Sequence, residues 1–428
     1  MIKRSPDDFQ VEELLDPRFL ALRVEAGPFA LYRLNKESLA TPEAAGRAAR
    51  ELKVPANAFA YAGLKDKHAR TIQHITIQLE KAPASMTPPE KSSGDGWALE
   101  RIGFVPRPIA AADIFRNRFR IAVRNLTPQD CFDMDRARRM LTSPPAPLLQ
   151  GEGGTAPSSP PPLAGEGAGG RGDPLRIVNY FGDQRFGSAR HGQGFVAKLL
   201  IKGDFEGALQ LAIATEARKD RMEQKVFKRT LREHWGNWKA ALSNLRRCPE
   251  RKAIERLANS GGDFRAAFCA LPYMFQQMCV YAYQSHLWNA IARRVIEQRC
   301  APLGPVLAAD DVFGEMLFPS NEAIPGELAD LEIPLLARKT ELRDPWKSAA
   351  EEILKEEGIA VSELEIAGVR RPFFGEEPRR LFFNAEEFSM SKSETDDTAN
   401  DPKRKKRTLT FALPRGCYAT VLLRALAQ

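Results

Sequence analysis

Asp66 is a single carboxylate in a run of cations: Lys65, Lys67, His68 and Arg70 flank it, directly after Gly63-Leu64. Positive charge close to an acid favours its ionised form, and the same cations suit a phosphodiester backbone. An ionised carboxylate held beside nucleic acid is equipped for nucleophilic or base chemistry at a ribose. The competing reading is a solvated charged turn ahead of a strand. Just downstream, Ile75, Ile77 and Leu79 alternate with Thr76 and Gln78, the period of a half-buried strand.

The elements that must position this loop read as mixed α/β over the first 125 or so residues. Residues 9–14 and 29–34 have the pattern of short strands. Thr41-Pro42-Glu43 predicts a helix start, with a side-chain oxygen cap, proline in the first turn and an acid behind it. That helix is expected to end near Lys53. A polar loop is expected over residues 81–97, a strand over 119–123 and a helix over 128–141. Residues 142–174 are dominated by proline, glycine, serine and alanine and contain a rough duplication, Pro144-Pro145-Ala146-Pro147-Leu148 and Pro160-Pro161-Pro162-Leu163. Too little apolar area is present there to offset the entropy of ordering it, so the segment reads as a disordered surface insertion. The other reading of its proline content is a ligand for an aromatic groove.

From about residue 183 to 343 the pattern is largely helical. The longest expected helix covers 276–299, with Val280, Tyr283, Leu287, Ile291 and Val295 on one face. Tyr281, Tyr283 and Trp288 read as core rather than base-stacking platforms. Residues 408–413 alternate as a strand. Between 391 and 407 the chain passes from Glu394, Asp396 and Asp397 to Lys403, Arg404, Lys405, Lys406 and Arg407. This is either a solvated hairpin or an edge that contacts phosphates.

A chain of 428 residues with net charge +8 has room for two domains and suits a polyanionic partner. The six cysteines form no C-x-x-C pair, so neither a zinc site nor a disulfide framework is suggested. There is no phosphate-cradling glycine loop at a strand–helix turn. No metal or other cofactor is expected. The polar start at Met1 to Asp8 lacks a signal-peptide core, and no apolar run reaches the length of a membrane span. A soluble cytoplasmic protein is the expectation.

Five segments carry a family likeness in a fixed order. They are Lys3-Arg4-Ser5-Pro6-Asp7-Asp8-Phe9-Gln10-Val11-Glu12-Glu13, the stretch from Gly63-Leu64-Lys65-Asp66-Lys67 to Gln73, Asn117-Arg118-Phe119, Asn179-Tyr180-Phe181-Gly182-Asp183-Gln184-Arg185-Phe186-Gly187, and Leu413-Pro414-Arg415-Gly416-Cys417-Tyr418-Ala419-Thr420 through Arg424. Together they resemble the motifs of the TruD-type tRNA pseudouridine synthases, from one end of the chain to the other.

The resemblance implies an α+β fold: a pseudouridine synthase catalytic domain with a mixed, mostly antiparallel sheet, interrupted by a mostly helical insertion domain. The catalytic domain would comprise residues 1–182, with 142–174 as an extra insertion where the family has a short connection, and residues 346–428. The insertion domain would comprise 183–345. The implied activity is isomerisation of a uridine, at position 13 of tRNA, with Asp66 as nucleophile. Whether Asp66 attacks carbon or first removes a ribose proton is left open.

Phe119 would stack on the target base, and Asn117 would bind the uracil or orient Asp66. Phe9 would lie near the base, Lys3 and Lys65 near Asp66 or a phosphate, and Arg424 would pair with the nucleophile. The family turn Asn179–Gly187 would be architectural, with Gly182 and Gly187 bracketing turns. The implied partner is tRNA, without membrane or metal, and the implied state is a monomer. Two alternatives stand beside this reading. One is a catalytically inactive RNA-binding or chaperone protein on the same scaffold. The other is a glycosylase or deaminase, although a deaminase needs a His/Cys zinc set that the chain lacks.

Overall fold

The structure, a computed structural model, describes residues 4–83, 87–142, 174–218, 220–246 and 248–428. Lys3 and nearly all of the proline-rich segment lie outside the described residues. The chain divides into two compact units, Met1–Ile177 with Phe383–Ala419 and Leu426–Gln428, and Val178–Phe382 with Thr420–Ala425.

The first unit is built on a mixed sheet. Its strands run in the order Lys91–Gly94, Trp97–Val105, Phe29–Glu37, Arg70–Gln78, Phe9–Leu15, Ile114–Leu126, Lys405–Pro414, Phe382–Met390 and Leu175–Val178. Phe9–Leu15 runs parallel to Arg70–Gln78 and antiparallel to Ile114–Leu126. A parallel neighbour needs a crossover, and the chain between these two strands supplies it with the strand Phe29–Glu37 and the helix Thr41–Glu51. That helix lays the small residues Ala44 and Ala48 on a buried layer of Ala30, Tyr32, Leu34, Ile75 and Ile77. The expected α+β class and mixed sheet are what the fold contains.

Two local expectations fail for identifiable reasons. The stretch 81–97, expected as a polar loop, contains the strand Lys91–Gly94 and the start of Trp97–Val105. Asp95-Gly96 is the two-residue turn that joins them, with Gly96 at φ +76°. This is the strongest short-range hairpin signal, hidden here by the polar flank Lys91-Ser92-Ser93. A side chain at Gly96 would also meet the Glu37 carbonyl at 3.1 Å. The helix at Thr41 begins as expected, but its N-cap residue is Ala40 and carries no side-chain cap. The Thr41 hydroxyl turns inward instead and donates to Gln73 Oε1 at 2.9 Å. In the family turn, neither Gly182 nor Gly187 has the positive φ that would require glycine.

The run 391–407 resolves into a hairpin whose charges largely satisfy one another. Glu394-Thr395 pairs with Lys405-Lys406. The Arg124 guanidinium donates to Asp8, Asp396 and Asp397 at 2.8, 2.9 and 2.7 Å, and Asp396 also accepts from the Asn125 N–H. Lys406 pairs with Asp397, and Arg407, 6 % exposed, forms a bidentate pair with Asp135 at 2.7 Å. These contacts favour the hairpin reading for Lys406 and Arg407. Arg407→Gln should therefore lower the unfolding free energy by about 1–3 kcal/mol, the scale of a lost charged hydrogen-bond pair. Lys403→Glu should stay within about 0.5 kcal/mol, as exposed substitutions do. Denaturant unfolding compares them directly, and equal effects would contradict the pairing.

The second unit is organised round the helix Tyr273–Arg299, which buries Val280, Tyr283, Leu287, Ile291 and Val295 as the sequence predicts. Trp288 is core, its indole N–H donating to the Ile333 carbonyl at 2.9 Å. Where the sequence places the boundary at 345, this unit continues. Glu357, on the helix Lys347–Glu357, accepts from Tyr283 and Lys198 at 2.9 and 2.6 Å, and Arg294 binds Glu352 and Glu356. No helix among the described residues is long and apolar enough to cross a membrane.

Candidate active site

Along the strand Phe9–Leu15, Phe9, Val11, Glu13 and Leu15 are buried and point to one face. An acid therefore occupies a position whose neighbours are apolar. Register places Glu13 opposite Asn117 and Val11 opposite Phe119 on the next strand. The Glu13 side chain has no exposure, and Lys65 Nζ reaches it at 2.7 Å while donating to Asn117 Oδ1 at 2.7 Å. On the other side, the His74 N–H donates to Glu13 Oε1 at 2.9 Å. Burial pushes the Glu13 carboxyl up, but the bonds from His74 and the Lys65 ammonium outweigh burial and leave it below its ordinary value. Glu13 is an ionised anchor.

That anchor fixes the loop that carries Asp66. The Lys65 side chain is held by Glu13 and Asn117, and its N–H donates to Thr41 Oγ1 at 3.0 Å. The Asp66 carbonyl accepts from Lys36 Nζ at 2.9 Å. The carboxylate itself accepts from the His68 N–H at 2.9 Å. Ala69, just beyond, is fully buried. Asp66 thus sits half-exposed on a loop tied down at the residue before it, at its own carbonyl and two residues after it. Leu64, on the solvent side, is 71 % exposed.

Lys36 is the least expected member. It is 2 % exposed, and its ammonium also donates to the Leu39 carbonyl at 2.8 Å. Burial lowers its pKa to about 8, with the Asp66 carboxylate opposing the drop and the Lys65 charge assisting it.

The residues expected in the site divide as follows. Asp66, Lys65 and Asn117 come together on one face of the first unit. Lys65 is committed to Glu13 and Asn117, with its side chain 11 % exposed, and so is not offered to a phosphate. Asn117 orients Lys65, the neighbour of Asp66. Phe119 is 9 % exposed; it meets Phe9 edge to face at 6.1 Å and stacks on Phe411 at 5.3 Å. Phe9 and Phe119 continue the face that begins at Asn117. His68 contributes its backbone N–H to the Asp66 carboxylate. Arg424 lies in the second unit, where its guanidinium binds Asp183 at 2.9 and 3.1 Å and also Asp311. Lys3 is outside the described residues.

Sequence reasoning missed Glu13, Lys36 and Thr41. Glu13 and Lys36 did leave a signal. Phe9-Val11-Glu13-Leu15 and Ala30-Tyr32-Leu34-Lys36 are alternating sets whose inward face is broken by one charge.

The family model for tRNA pseudouridine synthase D (TruD) matches residues 1–426. The chain is 25 % identical to the probable tRNA pseudouridine synthase D 1 of Methanococcus maripaludis, over 99 % of this chain and 98 % of that one. It is 27 % identical to the tRNA pseudouridine synthase D of Aquifex aeolicus, over 99 % and 97 %. With the probable enzyme of Methanopyrus kandleri, identity is 30 % over 97 % and 89 %. Among solved structures, the crystal structure of the putative tRNA pseudouridine synthase D from Methanosarcina mazei shares the fold. Its TM-score is 0.68 at 23 % identity, covering 100 % of this chain and 93 % of that one.

Proposed function

The chain belongs to the tRNA pseudouridine synthase D (TruD) family, and on that premise we propose that it isomerises a uridine of tRNA, the one at position 13, to pseudouridine with Asp66 as the nucleophile. The reaction breaks the N1–C1′ bond, turns the uracil over and joins C5 to C1′; the C5 proton is lost to solvent and N1 gains one. No group is donated from outside. What the protein must supply is a carboxylate at the ribose, placed before the substrate arrives.

The observation that carries this reading is the tethering of the Asp66 loop. Lys65 is clamped by Glu13 and Asn117, the Asp66 carbonyl by Lys36, and the carboxylate by the His68 N–H. A solvated charged turn has no use for tethers to a buried glutamate and a buried lysine. In this reading Phe9 and Phe119 form the apolar wall against which the flipped uracil rests. Lys3 would lie near Asp66 or a phosphate, and tRNA is bound through many phosphate contacts.

The test uses tRNA transcripts carrying tritium at C5 of uracil. The purified protein should release tritium to water in proportion to pseudouridine formed. A transcript with cytidine in place of uridine 13 should release none. Binding of both transcripts with release from neither would instead identify the RNA-binding protein without catalysis. Equal release from both would move the target to another uridine.

A further inference from the structure

Lys36 occupies a strand position that the local pattern reserves for an apolar side chain. Ala30, Tyr32, Leu34 and Lys36 point to the same buried face, and the first three belong to the core beneath the helix Thr41–Glu51. Its partners across the sheet, Thr71 and Trp97, carry no charge. Taking an ammonium out of water is costly unless it is paired. Here its described hydrogen bonds go to two carbonyl oxygens, those of Leu39 and Asp66. A methionine would fill the same space without that cost.

A second irregularity lies beside the first. Ser38, two residues on, has φ +56°, a left-handed conformation that is uncommon for a residue with a side chain. It turns the chain so that the Leu39 carbonyl faces back to the Lys36 ammonium. A buried charge and a strained turn thus meet at the Leu39 carbonyl, and the charge joins that turn to the Asp66 loop. Departures from local rules that cluster in this way mark functional positions.

We infer that Lys36 is a positioning residue of the reaction: by joining the Leu39 and Asp66 carbonyls it fixes the backbone from which the Asp66 carboxylate reaches the ribose. The inference rests on the reading of Asp66 as the reacting group. At 2 % exposure Lys36 offers almost no surface to RNA, so its effect is confined to the chemical step. Its charge is part of the device. The Asp66 carboxylate and the Lys65 ammonium are the charged groups that face it, the first favouring the protonated form and the second opposing it. As pH rises through about 8 the ammonium loses its proton, and the two carbonyls lose a charged donor.

The experiment measures kcat, KM and the dissociation constant for tRNA in the wild type, Lys36→Met and Lys36→Gln, each from about pH 6 to about pH 10, alongside thermal melting. Loss of sub-ångström placement typically costs up to about 100-fold in rate. The expected result is a fall in kcat of about 10- to 100-fold in both variants, with KM and tRNA affinity within about twofold. The wild-type kcat should also decline on the alkaline side with a midpoint near 8, a limb absent from Lys36→Met. Should Lys36→Met fail to fold, Lys36→Gln and the wild-type limb decide. Unchanged kcat in a folded variant would overturn the role, as would a wild-type kcat that is level from about pH 6 to about pH 10. Turnover by Asp66→Asn would overturn the underlying reading. An inactive Asp66→Asn beside a fully active Lys36→Met would overturn this inference alone.

Discussion

Asp66→Asn should remove isomerisation and leave the protein otherwise intact, with turnover down by on the order of 10⁴-fold or more, the scale seen when an enzyme loses its nucleophile. The substitution is isosteric, and the amide oxygen can still accept from the His68 N–H. The other tethers act on backbone or neighbouring groups: Lys36 on the Asp66 carbonyl, Thr41 on the Lys65 N–H, Glu13 and Asn117 on the Lys65 ammonium. Of these tethers, the Lys36 ammonium also feels the Asp66 charge, which favours its protonated form. Stability should stay within about 1 kcal/mol of wild type. Affinity for tRNA should change by no more than a few-fold, because it is spread over many phosphate contacts. Tritium release and filter binding on the same transcript separate the two quantities. An Asn variant that turns over at a rate comparable to wild type would remove Asp66 from the mechanism.

The sequence disclosed Asp66 because its neighbours are unusual in kind: four cations within a few residues of one acid, after a glycine, ahead of a clean period-2 strand. Asn117 and Phe119 could be placed on one face from strand periodicity alone. The tethers were harder to see. Lys65 lies beside Asp66 in the chain and looks like part of the same cationic patch, yet its ammonium points inward to an acid 52 residues earlier. Only the parallel pairing of Phe9–Leu15 with Arg70–Gln78 brings that acid under the loop, and parallel register is not legible in either strand. Threonine before proline commonly caps a helix, but the Thr41 hydroxyl binds Gln73 and the Lys65 N–H of the loop instead. The lesson from Glu13 and Lys36 is more general. A charge on the apolar face of an alternating strand is expensive to bury, so it signals a fixed partner even when the partner cannot be named.

The Glu13–Lys65 pair allows stability and positioning to be separated. Lys65→Met leaves the Glu13 carboxylate, without exposure, to the His74 N–H and the His74 imidazole at 3.6 Å. Glu13→Leu leaves the Lys65 ammonium, 11 % exposed, with only Asn117 Oδ1. Breaking a buried pair from one side typically costs about 3–5 kcal/mol, and each single variant should lose stability on that scale.

The loss should depend on pH in a defined direction. In the wild type the folded pKa of Glu13 lies below its ordinary 4.5. The stability contributed by its ionised form is therefore present above that value and is lost as pH falls through the folded pKa. In Lys65→Met the cation is gone and burial acts against His74 alone, so the folded pKa rises. Its destabilisation should be greatest near neutrality and shrink under acid, where Glu13 is protonated in both proteins.

The double variant Glu13→Leu/Lys65→Met replaces the pair by apolar groups, an exchange that is often neutral for stability. It should regain most of the melting temperature. Its kcat should stay about 100-fold low, because the residue before Asp66 has lost its side-chain anchor. Denaturant melts from about pH 2 to about pH 8, with single-turnover kinetics on tRNA near neutrality, test both halves. A double variant that recovers turnover with stability would show that the clamp serves the fold alone. One as unstable as the single variants would mean that the site cannot close around apolar side chains.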